Sequence, residues 1–212
     1  MERASFRGGV NHEVPMSFRD LVTRSRSIRR FDESFEVGGS VLAELVELAC
    51  FTPSAANRQP LKYLAVTGSD ATGKVFPCLR WAGYLPDWPG PETGERPSAF
   101  LVMLCRKEAV AGAACDSGIA AQTIMLGAAE KELGCCIIGA FDRDRLMSAL
   151  DIPDSWTILV VIALGKPVET VVIDLIDGAG DISYRRDRYG IHHVPKRKVD
   201  DVLVTAEKLR DI

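Results

Sequence analysis

Basic side chains are concentrated in two short stretches that lie far apart in the chain. The first holds four arginines within seven residues and the second holds three consecutive basic residues: Arg24, Arg26, Arg29 and Arg30, then Lys196, Arg197 and Lys198. A phosphate group needs several Arg or Lys donors together with a hydroxyl, which Ser27 supplies in the first stretch. Taken alone, either stretch is more typical of a solvated surface.

The segment TPSAANRQP, at residues 52–60, makes a ligand site more plausible. Its small side chains allow the backbone to lie against a flat ring, and Asn57 and Gln59 offer both hydrogen-bond donors and acceptors. Together with the two basic stretches, this segment fits a ligand that has a planar polar ring at one end and a phosphate at the other.

The order of these motifs resembles that of the nitroreductase family of FMN-dependent oxidoreductases. Six short stretches between Ser17 and Lys198 match in register: residues 26–31 (RSIRRF), 53–60 (PSAANRQP), 118–134, 138–141 (IGAF), 163–167 (ALGKP) and 193–197 (HVPKR). Six such matches in order are hard to obtain by chance. The chain departs from the common family pattern at Ser25, where many members have arginine, and at Leu61, where many have tryptophan.

The resemblance implies an α+β fold with a central, mainly antiparallel sheet flanked by helices, and an intertwined homodimer whose two FMN sites straddle the interface. The residues expected at the FMN phosphate and ribityl chain are Arg26, Ser27, Arg29, Lys196 and Arg197. Those expected along the isoalloxazine ring are Pro53, Ser54, Ala55, Asn57 and Gln59, with the backbone of Gly139 and Ala140 near the N5 edge.

A flavin carries out hydride transfer itself, so the protein has to bind, orient and tune it, and no catalytic acid or base is expected. The resemblance implies a ping-pong cycle in which NADH or NADPH reduces flavin N5 and leaves before a nitroaromatic, quinone or similar small-molecule acceptor takes its place. Four aromatic residues are candidates for lining this shared pocket, with core packing or dimer contact as the alternative: Trp81, Tyr84, Trp88 and Phe141.

Two other functions stay open at this stage. The same scaffold could carry a different reaction, such as reduction of free flavin or of an enone, or a more specialised flavin-dependent transformation. A non-catalytic flavin-binding protein would retain the site without turnover.

Other ligand motifs are incomplete. Residues 68–75, GSDATGKV, nearly spell a phosphate-binding P-loop, but Val75 has no hydroxyl for magnesium, so a surface turn is expected there. The three histidines lack the spacing of a zinc site, so no metal is expected. His192 and His193 are expected in a surface loop, with a role facing an anion as the alternative because lysines and arginines are close in sequence.

Hydrophobic spacing and turn residues predict the elements that position these motifs. Helices are expected over residues 18–22, with a Ser17–Asp20 capping box, over 41–49, with Ser40 as N-cap, over 116–133, with Gly134 at the C-cap, and over 143–150. Strands are expected over residues 61–67, 99–105, 136–139 and 157–164, and the first two should be central strands covered on both faces. A Pro- and Gly-rich loop, typical of a functional lid, separates those two strands, and the chain after Pro167 is expected to be polar and irregular.

Composition indicates one compact domain. The chain has 212 residues, of which 47% are hydrophobic and 26% charged, and we expect a flexible arm over residues 1–16 followed by a single domain over 17–212. The net charge of −3 argues against a nucleic-acid partner, and no apolar run approaches the roughly 20 residues of a membrane span. The six cysteines contain no CxxC pair and the N-terminus lacks a secretory signal, so a cytoplasmic protein with reduced thiols is expected.

Overall fold

The computed structural model describes residues 16–210, apart from the side chain of Lys208. Its helices are α1 (Phe18–Arg24), α2 (Gly39–Cys50), α3 (Ser69–Val75), α4 (Val110–Glu130), α5 (Arg143–Ala149) and α6 (Val199–Val202). Its strands are β1 (Phe31–Asp32), β2 (Lys62–Thr67), β3 (Ala99–Arg106), β4 (Gly134–Ile138), β5 (Trp156–Pro167), β6 (Val171–Ile176), β7 (Arg185–Arg186) and β8 (His192–Arg197). The arm expected over residues 1–16 lies outside the described residues except for Met16.

The main sheet has five strands and is antiparallel throughout, which confirms the expected α+β class. The long strand β5 is its centre, because β3 pairs along one side of it and β4 along the other. Strand β2 extends the sheet beyond β3, and the short β1 pairs with the end of β5 at Lys166 and Pro167.

The core lies on both faces of this sheet because strand side chains alternate between the faces. On β3, Phe100 and Val102 belong to one buried cluster, and Leu101 and Met103 belong to the other. The first cluster is covered by α3, α5 and the loop that contains Trp81, and the second by α2 and α4. We call these the α5 face and the α4 face of the sheet.

Several expected boundaries differ from the structure. Helix α2 begins after Gly38 rather than Ser40, and β2 is an edge strand in which only Val66 is buried, not a central strand. The capping box of Ser17 and Asp20 is confirmed at the start of α1. Residues 69–75 form α3 instead of the expected surface turn.

Helix α4 is longer at its start than expected and ends differently. It begins at Val110, six residues before Asp116, because the alanine-rich stretch there favours a helix without a capping side chain. It ends in a Schellman motif, in which Glu132 takes a positive φ of 57° and the Leu133 amide donates to the Ala128 carbonyl at 2.8 Å. Gly134 is therefore the first residue of β4 and not the C-cap.

By length and composition alone, residues Lys107–Glu130 could span a membrane. In the structure, however, one face of this helix packs against the core of the protein. Ala120, Ile124 and Ala128 of α4 are buried in the core on the α4 face, alongside Leu42 and Leu45 of α2.

The chain after Pro167 is not irregular. Strands β6 and β8 pair in parallel and β7 joins β8 antiparallel, so they form a second, three-stranded sheet. The β-branched run Val171, Val172 and Ile173 favours a strand at this point and accounts for β6. His192 is consequently a buried strand residue, not part of a surface loop.

All six cysteines are free thiols, as expected for a protein without disulfides. Four are buried and two are exposed: Cys78, Cys105, Cys135 and Cys136, then Cys50 and Cys115. Burial raises the pKa of Cys136 to about 11 and raises that of Cys135 further, so these adjacent thiols stay protonated at neutral pH.

Two facing glycines determine where the segment with the first basic stretch can lie. Gly134 of β4 is directly opposite Gly165 of β5. A Cβ on Gly134 would lie 2.9 Å from Ile28, and a Cβ on Gly165 would lie 2.9 Å from the Phe31 ring. Because neither glycine has a side chain, Ile28 and Phe31 pack closely on the sheet. Their packing fixes the residues between them, including Arg29.

The variant Gly165→Ala should therefore lower the free energy of unfolding by about 1–3 kcal/mol, since Phe31 is fully buried and has no free space to move into. Denaturant titration measures this change. Gly73→Ala is the matched control, because Gly73 lies inside α3 with open space around it, and we expect it to gain about 0.5–1 kcal/mol. Equal stability of the Gly165 variant and the wild type would show that β1 is not held in this way.

Candidate functional site

Arg29 lies at the centre of a cluster of polar and aromatic groups. Its Nη1 donates to the Ser27 carbonyl at 3.2 Å and lies 3.2 Å from Nε2 of His192, and its guanidinium stacks 4.9 Å from the Tyr184 ring centroid. The other guanidinium nitrogens of Arg29 have no hydrogen-bond partner among residues 16–210. Arg29 is thus fixed on one side and has donors left for a ligand.

The buried carboxylate of Glu169 holds this cluster together. It accepts a hydrogen bond from the backbone amide of Arg29 and another, at 3.0 Å, from Nη2 of Arg186. The Glu169 side chain is fully buried, and the Arg186 guanidinium stacks 4.5 Å from the ring centroid of Trp88. Glu169 therefore joins the first basic stretch, the β7 strand and the loop before β3.

His192 is neutral in this environment. Burial, together with the positive charges of Arg29 and Arg186, lowers its pKa to about 4. A guanidinium can only donate, so the contact with Arg29 requires an unprotonated Nε2 on His192.

An open cleft of about 150 Å³ lies beside Arg29. Its lining is cationic and carries no carboxylate: Arg29, Arg80, Trp81, Ala82, Gly83, Cys136, Ile137, Ile138, Gly139 and Ala140. The Arg80 amide donates to the Ala140 carbonyl at 2.9 Å, which fixes the two walls relative to each other. A Cβ on Gly139 would meet nothing within 4 Å, so the end of β4 is open to the cleft.

The loop of residues 53–60 lies in a different part of the folded molecule from the Arg29 cleft. Together with Cys50 and Tyr63, it lines a separate pocket of about 140 Å³, and this pocket shares no residue with the Arg29 cleft. Burial raises the pKa of the Tyr63 hydroxyl to about 12. Within the loop, Gln59 Nε2 donates to Asn57 Oδ1 at 3.0 Å.

The residues expected at the phosphate have different surroundings. Arg26 donates a hydrogen bond to the Val22 carbonyl at 2.8 Å. Together with Ser25 it lines a third cavity of about 210 Å³. The backbone of Ser27 pairs with that of Cys135 of β4 in an isolated parallel β-bridge. Ser25 Oγ and Arg26 Nε are buried there without a partner among the described residues.

Lys196 and Arg197 are exposed near the end of β8, four and five residues beyond His192. At about 3.3 Å per strand residue, this places Lys196 roughly 13 Å along β8 from His192. The guanidinium of Arg197 donates to the Gly178 carbonyl. Lys196 and Arg197 therefore lie beyond the contact between Arg29 and His192 along β8.

The four aromatic candidates have different surroundings. Trp81 lines the Arg29 cleft but is mostly buried, where it packs on Gly90 and Phe76. Trp88 is half-buried under Arg186, and Phe141 is half-buried under Arg143. Tyr84 is exposed and meets the edge of Tyr184, so it is the freest of the four to contact a ligand.

An ion pair and several hydrogen bonds hold the loop before β3 against the rest of the protein. Arg30 forms a two-pronged ion pair with Glu95, with Nε to Oε2 at 2.6 Å, and the Phe31 amide donates to the Glu95 carbonyl at 2.9 Å. The Tyr84 amide also donates to the Tyr184 hydroxyl at 3.2 Å.

The sequence signature of the nitroreductase family matches residues 22–81 and 97–166, which include most of the main sheet and most of the residues that line the Arg29 cleft. The chain belongs to the nitroreductase family.

Individual nitroreductase relatives are distant in sequence. A Bacillus subtilis (strain 168) protein, YodC, whose name assigns it provisionally as an NAD(P)H nitroreductase, is 22% identical over 180 residues, covering 71% of this chain and 89% of YodC. A nitroreductase family protein from Clostridium novyi NT superposes with a TM-score of 0.61 at 23% identity, covering 72% of this chain and 86% of that one. An FMN-dependent nitroreductase from Clostridium difficile R20291 gives 0.58 at 21% identity, covering 70% and 87%. The solved structures establish the shared fold.

Several residues of the candidate site could not be predicted from the sequence. Glu169, Arg80, Tyr184 and Asp116 belong to no motif, and their contacts arise only when distant segments meet. His192 was next to a recognised motif, but its burial depends on the unexpected strand β8.

The neutral His192 predicts a pH dependence of stability. The unfolded chain binds a proton at His192 near pH 6.5, whereas the folded protein does so only near pH 4, so acidification favours unfolding between these values. From pH 7 to pH 5 the free energy of unfolding should fall by about 2 kcal/mol more in the wild type than in His192→Gln. Denaturant titrations at the two pH values measure the difference, and parallel losses in both proteins would contradict the burial of a neutral histidine.

Proposed function

We propose that this chain is an FMN-dependent oxidoreductase that takes hydride from NADH or NADPH and passes it to a nitroaromatic, a quinone or a similar small-molecule acceptor. Family membership supports a flavin oxidoreductase in general. The names of two relatives, one FMN-dependent and one an NAD(P)H nitroreductase, support the cofactor and the hydride donor. The observation that carries the proposal is the Arg29 cleft.

The residues of the cleft fit a flavin. Arg29 has unused donors and Arg80 adds a second cation. The lining includes no carboxylate that would repel a phosphate or the negative charge that develops on a flavin ring when it is reduced. The open backbone at Gly139 and Ala140 lets a flat ring approach without meeting a side chain. FMN bound here would supply hydride transfer at its N5 atom.

Each group of residues has a distinct part in this proposal. Arg29 and Arg80 would hold the electron-rich side of the ligand, and the backbone of Gly139 and Ala140 would lie beside the ring. Asn57 and Gln59 would form hydrogen bonds to the ring, with Pro53, Ser54 and Ala55 packed along it. Tyr84 is placed to meet the hydride donor or the acceptor, because it is exposed beside the Tyr184–Arg29 stack.

We further propose that each site is shared by two chains of a homodimer. The Arg29 cleft includes Cys136, which faces the α5 side of the sheet, whereas the 53–60 pocket includes Ala49, which faces the α4 side. Since the buried sheet separates the two, one flavin is best contacted by the cleft of one chain and the loop of its partner. Arg26, Ser27, Lys196 and Arg197 would complete the phosphate contacts in the dimer.

Exposed apolar side chains support this association. Phe18 of α1 is 71% exposed, Phe51 after α2 is 77% exposed, and Leu203 after α6 is 74% exposed. Contact with a partner chain would remove these apolar side chains from water. The free thiols also support our proposal that the dimer acts in the cytoplasm, since disulfides are rare in that compartment.

Purified protein should be yellow and should release FMN on denaturation. Replacing Arg29 by alanine should raise the FMN dissociation constant about ten- to a hundredfold, because a charge-assisted hydrogen bond contributes about 1.5–3 kcal/mol. Fluorescence titration with FMN measures the dissociation constant of the wild type and of the variant. Arg106→Ala is the control, since Arg106 also stacks on an aromatic ring, Trp156, but lies outside the site. Equal dissociation constants for the two variants would remove Arg29 from the site.

The FMN-loaded protein should oxidise NADH or NADPH faster when a nitroaromatic or quinone is present. Because donor and acceptor are expected to use one place in turn, initial rates at several fixed acceptor concentrations should give parallel double-reciprocal lines. Oxidation of the donor only with added free flavin would favour a flavin reductase. A yellow protein with no oxidation of either donor would favour a non-catalytic flavin-binding protein and contradict the proposal.

A further inference from the structure

The loop after α2 has a strained backbone. Ala56, Asn57 and Gln59 have φ values of 51°, 52° and 47°, in the left-handed region that residues other than glycine rarely occupy. Asparagine tolerates this region better than alanine or glutamine does. Three such residues within four positions persist only where neighbouring groups hold the backbone in place.

A buried carboxylate on helix α4 keeps the loop backbone in this conformation. Asp116 of α4 is only 4% exposed, and its Oδ2 accepts a hydrogen bond from Ser54 Oγ at 2.6 Å while its Oδ1 accepts from the Ala55 amide at 3.1 Å. Ser54 Oγ in turn accepts from the Gln59 amide at 2.8 Å. Asp116 therefore fixes the start of the loop directly and its end through Ser54.

The carboxylate is charged and firmly placed. The hydrogen bond from Ser54 and then that from the Ala55 amide lower the pKa of Asp116, so it stays ionised at neutral pH. Ala113 and Ala120 lie three residues before and four residues after Asp116 in α4, and both are buried. Asp116 thus projects from the face of the helix that packs inside the protein, which gives the loop a rigid support.

We propose that Asp116 is a positioning residue that holds the loop of residues 54–59 in its ligand-binding shape before the ligand arrives. The inference rests on the proposed function, in which this loop contacts FMN. A loop that is already ordered loses less conformational freedom on binding, so preorganisation increases affinity. Asp116 itself need not touch the flavin.

FMN titration tests this role in four variants. Asp116→Ala leaves Ser54 Oγ and the Ala55 amide without their acceptor, so the FMN dissociation constant should rise about tenfold or more. Asp116→Asn keeps one acceptor oxygen and should recover most of the affinity. Ser54→Ala should also weaken binding, and the double variant with Asp116→Ala should bind no worse than Asp116→Ala alone, because the two side chains act as one unit.

Ser117→Ala is the matched control, since it removes a hydroxyl from the next residue of α4 that bonds only within its own helix. Its FMN affinity should be unchanged. A lowered melting temperature of Asp116→Ala with unaltered FMN affinity would show that Asp116 only stabilises the fold and would overturn the proposal. Additive losses in the double variant would overturn it as well.

Hydrogen exchange in the FMN-free protein tests the positioning separately from flavin binding. The amides of Ala55 and Gln59 should be protected in the wild type and should exchange about tenfold faster or more in Asp116→Ala. Equal exchange in the two proteins would overturn the positioning role whether or not FMN binds. A wild type that shows protected amides but takes up no FMN would instead overturn the proposed function and leave the positioning role supported.

Discussion

Burial of the main sheet on both faces decides where this protein can bind a ligand. Strands β3 and β5 are covered by α5 and its neighbours on one side and by α2 and α4 on the other. Polar chemistry is therefore confined to the ends and edges of the strands. The Arg29 cleft forms at the end of β4 and the 53–60 loop forms where α2 meets α4, on opposite sides of the same core.

Both halves of the candidate site rely on buried carboxylates that do not themselves face the proposed ligand. Glu169 fixes the backbone of Arg29, and Asp116 fixes the strained loop. A buried carboxylate with its hydrogen bonds satisfied gives a well-defined geometry, whereas loss of one partner leaves an uncompensated charge. The close packing of Ile28 and Phe31 over Gly134 and Gly165 fixes the Arg29 segment in the same sense, through shape instead of charge.

The sequence was most informative where a signal is local. Strands β2, β3, β4 and β5, the Ser17 capping box and the helix expected over residues 143–150 follow from hydrophobic spacing and caps, whereas the two-residue strand β1 was not predicted. The family could be recognised from short motifs in order. Features that depend on contacts between distant segments could not be predicted. Gly134 resembled a helix C-cap because the left-handed residue that follows a helix is usually glycine, whereas Glu132 takes that conformation here. The contact between Gly134 and Ile28 joins distant segments and could not be foreseen. The roles of Glu169 and Asp116 require partners more than 60 residues away in the chain.

The central claim, that each site combines the cleft of one chain with the loop of another, is tested most directly by mixed dimers. Arg29→Ala and Asn57→Ala chains carrying different affinity tags are co-expressed, and FMN is counted in the purified mixed dimer. If the site is shared, one site receives both defects while the other receives neither, so the mixed dimer should bind one FMN with wild-type affinity although each parent dimer binds weakly. A mixed dimer in which both sites are as weak as in the parents would show instead that each site lies within a single chain.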